Sequence, residues 1–201
     1  PTIISSNYPV QSENIGKAEE VDLIFSKEQS SEFQAFAKKN QLTLNTLIQG
    51  VWADLLSTYS GEEDVLFGAT VSGRNPSLRN VENMVGLFIN TLPVRVKVDK
   101  SKDIIKWLKE IQTNHLERDE FSFSSLVDIQ EWSGFSRGTQ LFENILVFEN
   151  YPPDTTLNDA DKKIKVSNLY AIERTNFPLT IVIAPGESLS IKFIYDISKY
   201  S

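Results

Sequence analysis

The stretch MVGLFINTLPVR (Met84–Arg95) changes its character halfway along. Its first half is an apolar run, and the polar pair Asn90 and Thr91 then leads into a regular alternation of apolar and polar residues that continues to Asp99. An alternation of period two predicts a β-strand over 91–99, with one face in the core and the other in water. The side chains predicted to face the core are Leu92, Val94, Val96 and Val98.

Helical periodicity appears on both sides of this strand. Apolar spacing predicts a helix from Thr43 to about Tyr59, buried on a wide face and followed by Gly61. A second helix is predicted to be capped by Ser101, and an earlier one by Ser26. The apolar residues of the Ser101 helix are Ile104, Trp107, Leu108 and Ile111, and those of the Ser26 helix are Phe33, Phe36 and Ala37.

The remaining alternating or β-branched stretches predict further strands, and the one at 20–25 is expected to have one buried face. All the predicted strands are 20–25, 65–73, 91–99, 145–148, 164–169, 179–183 and 189–195. Strands interleaved with helices predict an α/β (α+β) two-layer sandwich, in which helices cover a mixed β-sheet. Residues 1–18 are polar and without a sustained period, so we expect a lead-in linker there and one domain over 19–201.

Composition excludes several functional classes. The 201 residues are 40% hydrophobic, carry a formal net charge of −7 and contain no cysteine. Binding to nucleic acid or to an anionic membrane requires clustered Lys and Arg, which an acidic chain does not favour. A metal centre is not expected, because His115 is the only histidine. The absence of a long apolar segment and of cysteine predicts a soluble, cytoplasmic protein.

The sequence contains no complete catalytic set. A nucleophilic mechanism needs a base near a Ser or Cys, and only His115 is available. His115 lies one turn beyond Ile111 on an amphipathic helix, so a half-buried structural role is favoured over a catalytic one. Neither a GxSxG elbow nor a GxxxxGKS phosphate loop occurs.

Four segments in order resemble the later motifs of condensation domains from nonribosomal peptide synthetases. Two match closely: 43–74, which ends in Ser-Gly-Arg, and VGLFINTLPVR at 85–95. Two keep only part of the pattern: RDEFSFSSLV at 118–127 and SRGTQLFENILVFEN at 136–150. The family's catalytic motif, His-His-x-x-x-Asp-Gly, belongs to the N-terminal half and is absent from this sequence. The chain therefore resembles the C-terminal half.

The resemblance implies one half of a chloramphenicol acetyltransferase-like pseudo-dimer, with a tunnel between the halves. There, the amine of a carrier-bound aminoacyl acceptor attacks a carrier-bound donor thioester, as in antibiotic and other secondary-metabolite biosynthesis. The implied partners are the N-terminal half and the peptidyl carrier and adenylation domains of a synthetase. Phosphopantetheine arms of the carriers enter the tunnel, and no cofactor is bound directly. This half is expected to be inactive alone and to self-associate through its exposed inter-half face.

Two other functions stay open: half of a CoA-dependent acyltransferase of the same fold, and a condensation-like platform that recruits partners without chemistry. The candidate tunnel residues are Arg74, Asn90, Thr91, Glu149 and Asn150, and no catalytic residue is assigned. Each also has a structural interpretation, as a turn or strand-end residue. Arg95 is expected in a surface or inter-half salt bridge, and Phe88 in the core.

Overall fold

The computed structural model describes residues 2–4, 17–74, 78–135, 139–149 and 175–200. They form a six-stranded sheet and the helices packed on it. The strands are β1 (Ala18–Ile24), β2 (Asp64–Val71), β3 (Asn90–Lys97), β4 (Asn144–Phe148), β5 (Leu179–Ala184) and β6 (Ser190–Asp196). The helices are α1 (Lys27–Lys39), α2 (Leu44–Ser60), α3 (Ile104–Asp119) and α4 (Leu126–Trp132), with a 3-10 helix at Val81–Asn83.

The sheet is mixed, in the order β1-β6-β5-β4-β2-β3. β2, β4 and β5 run parallel to one another, whereas β3, β6 and β1 are antiparallel to their neighbours. The predicted α/β class is thus confirmed. Because three neighbouring strands are parallel, their carboxyl ends meet at one end of the sheet. The strand predicted at 164–169 lies outside the described residues.

α1 begins directly after its predicted cap, and α2 begins and ends within one residue of its predicted bounds. The hydroxyl of Thr43 accepts from the amide of Thr46 at 3.0 Å, and Gly61 ends α2 with a φ of 74°. Ser26 caps α1 as predicted. Phe36, predicted on the apolar side of α1, is exposed, because it lies at the margin of a narrow buried stripe.

The predicted cap of α3 is wrong by two residues. The carboxylate of Asp103 accepts from the amide of Lys106 at 2.9 Å and so caps the helix. The hydroxyl of Ser101 instead donates to Asp99 at 2.6 Å, inside the preceding turn. Ile104 is exposed rather than in the apolar line, because it is the first helical residue.

The main core lies between one face of the sheet and helices α1, α2 and α3. Its fully buried side chains include Phe67 of β2, Leu56 of α2 and Leu108 of α3. Burying one such side chain contributes roughly 1.5–3 kcal/mol to stability. On the opposite face, α4 and the 139–143 segment cover a smaller cluster around Phe142 and Ile145. α4 is not among the helices that the apolar spacing predicts.

The buried face predicted for β1 is wrong. Val21 and Leu23 are 51% and 45% exposed, although the strand pairs in full register with β6. β1 is the outermost strand, and the helical layer does not extend over it. Phe33 of α1 packs edge-to-face on Phe25, at 5.1 Å between ring centroids, just beyond the end of β1.

β3 forms the other edge of the sheet and shows the predicted alternation. Leu92, Val94 and Val96 are buried, while Arg95 points to solvent. Arg95 forms a bidentate pair with Asp64, with Nε–Oδ1 and Nη2–Oδ2 distances of 2.9 and 2.7 Å. The hydrogen bonds from Arg95 lower the pKa of the Asp64 carboxyl. Arg95 therefore forms the expected surface salt bridge.

Part of the 1–18 segment is described. Thr2 is buried, and its hydroxyl accepts from the amide of Leu66 in β2 at 2.7 Å. β2 and β4 pair only through Gly68–Ile145 and Ala69–Leu146. The amide of Leu66 lies before these pairs, and Thr2 provides its hydrogen-bond acceptor. Among the helices of the described ranges, none is long and apolar enough to cross a membrane.

Candidate functional site

A cavity of about 670 Å³ lies at the carboxyl ends of the parallel strands. Ligands of open α/β sheets commonly bind outside the carboxyl ends of the strands, where connecting loops diverge. Its walls come from the end of β2, the first turn of α2 and the last turn of α3. The lining residues are Gln34, Thr43, Leu44, Asn45, Thr70, Val71, Ser72, Gly73, Arg74, His115, Asp119, Ser122, Phe148 and Pro185.

One wall of the cavity is made rigid by a contact between α2 and α3. The amide of Thr43 donates to Gln112 Oε1 at 2.9 Å, and Gln112 Nε2 donates to the carbonyl of Gln41 at 2.9 Å. The start of α2 is thus fixed against the last turns of α3. Hydroxyl and amide side chains stand among apolar ones in this lining, so the cavity offers hydrogen-bond partners to a polar chain as well as apolar surface.

His115 faces the cavity from α3. Its Nδ1 lies 2.6 Å from Arg118 Nη2, and its Nε2 lies 3.5 Å from an Asp119 oxygen. Burial lowers the His115 pKa and outweighs the opposing effect of Asp119, and the charge of Arg118 lowers it further. Since Arg118 only donates, Nδ1 accepts and the single ring proton sits on Nε2. Both ring nitrogens therefore face partners on their own helix.

Arg74 follows β2 and lines the cavity, but its guanidinium binds its own chain. Nη1 donates to the carbonyl of Val81, and both Nη1 and Nη2 lie 3.2 Å from the carbonyl of Met84. The guanidinium carbon also lies 4.5 Å from the centre of the Phe88 ring. The core position predicted for Phe88 is wrong, because this ring is half-buried against Arg74.

Asn90 and Thr91 lie at the start of β3. Asn90 Nδ2 donates to the carbonyls of Ser122 and Ser124 at 2.9 and 2.7 Å, and its Oδ1 accepts from the amide of Thr91 at 2.8 Å. Thr91 pairs across the sheet with Thr70, which lines the cavity. The Asn90 side chain therefore links β3 to the turns after α3.

The last two predicted tunnel residues follow β4. Glu149 is half-buried next to Phe148 of the cavity, and its amide donates to the carbonyl of Ile183 at 2.8 Å. Asn150 lies outside the described residues. The structure thus brings Arg74 to the cavity and places Thr91 and Glu149 beside it.

Two exposed apolar segments border the cavity next to Arg74 and Ser122. Val85 and Leu87 are 103% and 91% exposed, and Phe123 is 75% exposed. We call the following set the apolar rim: Met84, Val85, Leu87, Ile89, Phe121 and Phe123. Sequence analysis did not identify the rim, although an uncharged apolar run without strand or helix period over 84–89 was a usable signal.

Comparison with known proteins gives a consistent result. A profile of the family described as Condensation domain matches residues 5–201. The chain is 45% identical over all 201 residues to one of the linear gramicidin synthase proteins of Brevibacillus parabrevis, and the match covers 3% of that protein. It is 34% identical to surfactin synthase subunit 3 of Bacillus subtilis (strain 168), over 87% of this chain and 14% of that protein.

Solved structures share the fold. The condensation domain of the monacolin K polyketide synthase MokA superposes with a TM-score of 0.79 at 16% identity, over 99% of this chain and 46% of that one. A four-domain nonribosomal peptide synthetase bound to AMP and glycine matches with a TM-score of 0.82 at 17% identity, over 98% of this chain and 16% of that one. The chain spans less than half of each.

Proposed function

Because the chain belongs to the condensation domain family, we propose that it forms the C-terminal half of such a domain. In this function it lines the tunnel where the amine of a carrier-bound aminoacyl acceptor attacks a carrier-bound donor thioester. A C–N bond forms, the C–S bond breaks, the amine loses a proton to a base, and the donor carrier regains its thiol. The other half of the tunnel comes from an N-terminal half that carries the His-His-x-x-x-Asp-Gly motif.

The observation that carries this proposal is the cavity with the apolar rim beside it. A monomeric surface rarely exposes a contiguous apolar patch unless the patch has a partner. The chain corresponds to only 46% of the solved MokA condensation domain, although 99% of it superposes there. We therefore assign the rim to contact with the remaining half. Carrier and adenylation domains are the further proposed partners.

The chemical role of this half is positioning. Holding two reactants at near-attack distance and excluding water removes several kcal/mol from a bimolecular barrier, up to about 7–11 kcal/mol in well-oriented intramolecular reactions. Thr70, Ser72 and Asn45 offer hydroxyl and amide groups along the cavity wall for an amide-containing arm. Burial and the Arg118 contact hold His115 as a neutral ring engaged on both sides. We therefore assign the base to the other half.

The test is complementation of separately produced halves. The 201-residue chain is mixed with the segment that precedes the matched region in the linear gramicidin synthase relative, together with loaded donor and acceptor carriers. We expect amide product from the mixture, measured by mass spectrometry of the acceptor carrier, and none from either half alone. Turnover by the 201-residue chain alone would contradict the incomplete site. Failure of the halves to associate or to make product would contradict the proposed role.

Acyl-CoA serves as the control donor in the same assay. A condensation domain requires the carrier-bound donor, so acyl-CoA is expected to give no product. Product from acyl-CoA but not from the loaded carrier would instead support the acyltransferase alternative.

A further inference from the structure

The backbone of the apolar rim needs an explanation, because its side chains provide little packing. No residue of 84–89 lies in a strand or helix, although the amide of Met84 donates back to the carbonyl of Val81 at 3.3 Å, and Val85 and Leu87 are almost completely exposed. An irregular segment with exposed apolar side chains normally samples many conformations, and ordering each residue costs about 1–2 kcal/mol. Other groups must therefore hold this segment in place.

Arg74 holds the first segment of the rim. Its guanidinium donates to the carbonyl of Met84 and packs on the Phe88 ring within this segment, and it also donates to the carbonyl of Val81 just before it. A planar guanidinium presents a rigid fork of donors to two carbonyls while its flat face stacks on an aromatic ring, whereas a lysine ammonium is a compact point charge without a face to stack. The 3-10 helix at Val81–Asn83 brings these two carbonyls close together.

Asn90 holds the second segment. It donates to the carbonyls of Ser122 and Ser124, which are the residues on either side of Phe123. Ser122 and Ser124 are buried, whereas Phe121 and Phe123 are exposed. The rings of Phe121 and Phe123 therefore point to solvent, while the hydrogen bonds from Asn90 fix the backbone between them. Both amide hydrogens and the oxygen of Asn90 are used in these contacts.

We infer that Arg74 and Asn90 are positioning residues that hold the apolar rim ready for the other half of the domain, and that neither makes contact with substrate. This inference rests on the proposed function. Both residues are tunnel candidates in the sequence. Their side chains act through the backbone of the rim, and the rim makes the contact.

The first experiment uses the 201-residue chain alone and follows amide hydrogen exchange. Arg74→Lys is expected to accelerate exchange at 78–89, and Asn90→Asp, which removes both donors, is expected to accelerate it at 120–125. Arg95→Lys is the control for the first variant, and exposed Asn114→Asp on α3 is the control for the second. Unchanged exchange in both segments, or acceleration spread evenly over the chain, overturns the inference.

The second experiment uses complementation and separates association from turnover. Arg74→Lys is expected to raise the concentration of the other half needed for half-maximal activity by about tenfold, equivalent to ~1.4 kcal/mol. When the other half is present at a saturating concentration, the turnover of the variant is expected to match that of the wild type. A residue that touches substrate would instead lower turnover at saturation. That outcome, or an unchanged half-maximal concentration, overturns the inference.

A double-mutant cycle tests whether the effect passes through the rim. Leu87→Ser is expected to weaken association by itself, and Arg74→Lys is expected to add little in its presence, because contacts through one surface are not additive. Tyr59→Ser, at an exposed site on α2, is the control for the loss of surface apolar area. Full additivity of the two changes contradicts the inference. If the wild-type halves do not associate, the proposed function fails instead.

Discussion

Substitution of Gly73 by Ala tests the close contact beneath the apolar rim. Gly73 has a φ of +64°, and a Cβ added there would lie 1.8 Å from the carbonyl oxygen of Phe88. Real Cβ atoms essentially never come within 3.0 Å of a neighbouring atom, so the backbone at Phe88 or at Gly73 would have to shift. The obstructing atom belongs to the backbone, so a rotamer change cannot relieve the overlap.

Two effects add to give the expected loss of stability. The left-handed conformation costs a residue with a Cβ about 1–2 kcal/mol. The overlap with the Phe88 carbonyl adds about 1–3 kcal/mol, as is typical when extra atoms are forced into a packed site. Gly61→Ala is the matched control, because Gly61 has a φ of +74° and nothing within 4 Å of the added Cβ. It should lose only the first amount.

Urea denaturation of the 201-residue chain measures both variants, with the free energy of unfolding obtained by linear extrapolation. We expect Gly73→Ala to lose about 2–5 kcal/mol in total, and therefore about 1–3 kcal/mol more than Gly61→Ala. Equal losses for the two variants would show that Phe88 does not approach Gly73 closely. No loss in either variant would refute the left-handed conformation at both positions.

Two further predictions use the same preparation. The pKa of His115 in the folded chain is expected below its ordinary value of 6.5, so below pH 6.5 the unfolded chain binds more protons than the folded chain. The contribution of neutral His115 to the free energy of unfolding is therefore present above pH 6.5 and is lost as the pH falls from there through the folded-state pKa. His115 is the only histidine, so one titrating C2 proton resonance measures it, and a midpoint at or above 6.5 contradicts the predicted shift. Asp103→Ala is expected to cost about 1 kcal/mol by loss of the α3 cap and Ser101→Ala under about 0.5 kcal/mol. A larger loss for Ser101→Ala in urea denaturation would reverse the cap assignment.

The elements with the strongest periodicity were predictable from sequence. α2 lies within one residue of its predicted bounds and β3 within two, because a wide buried helical face and a half-buried edge strand each impose a regular pattern. β1 shows the limit of this reasoning. Its alternation predicts a buried face, but burial depends on whether a helix lies over the strand, and position in the sheet order is not encoded locally.

The candidate site was predictable in part, for a related reason. Arg74 and Asn90 were identified as residues of interest, yet sequence cannot show which carbonyls a long or polar side chain reaches. The acceptors of Arg74 lie 7 and 10 residues away and those of Asn90 lie 32 and 34 residues away. Partners at such separations become neighbours only through the tertiary fold. The resemblance drew attention to Arg74 and Asn90, and the structure supplied their contacts.

The order of the apolar rim has an energetic consequence for assembly. Association loses the free energy spent on ordering interface side chains and loops, about 0.5–1.5 kcal/mol for each immobilised side chain. Arg74 and Asn90 order two rim segments before association, so the free energy of ordering these segments is already lost when this chain folds. Exposed side chains such as Leu87 then retain their full apolar area for the contact. On this basis, loosening the rim weakens assembly of the two halves more than it weakens the fold of this chain.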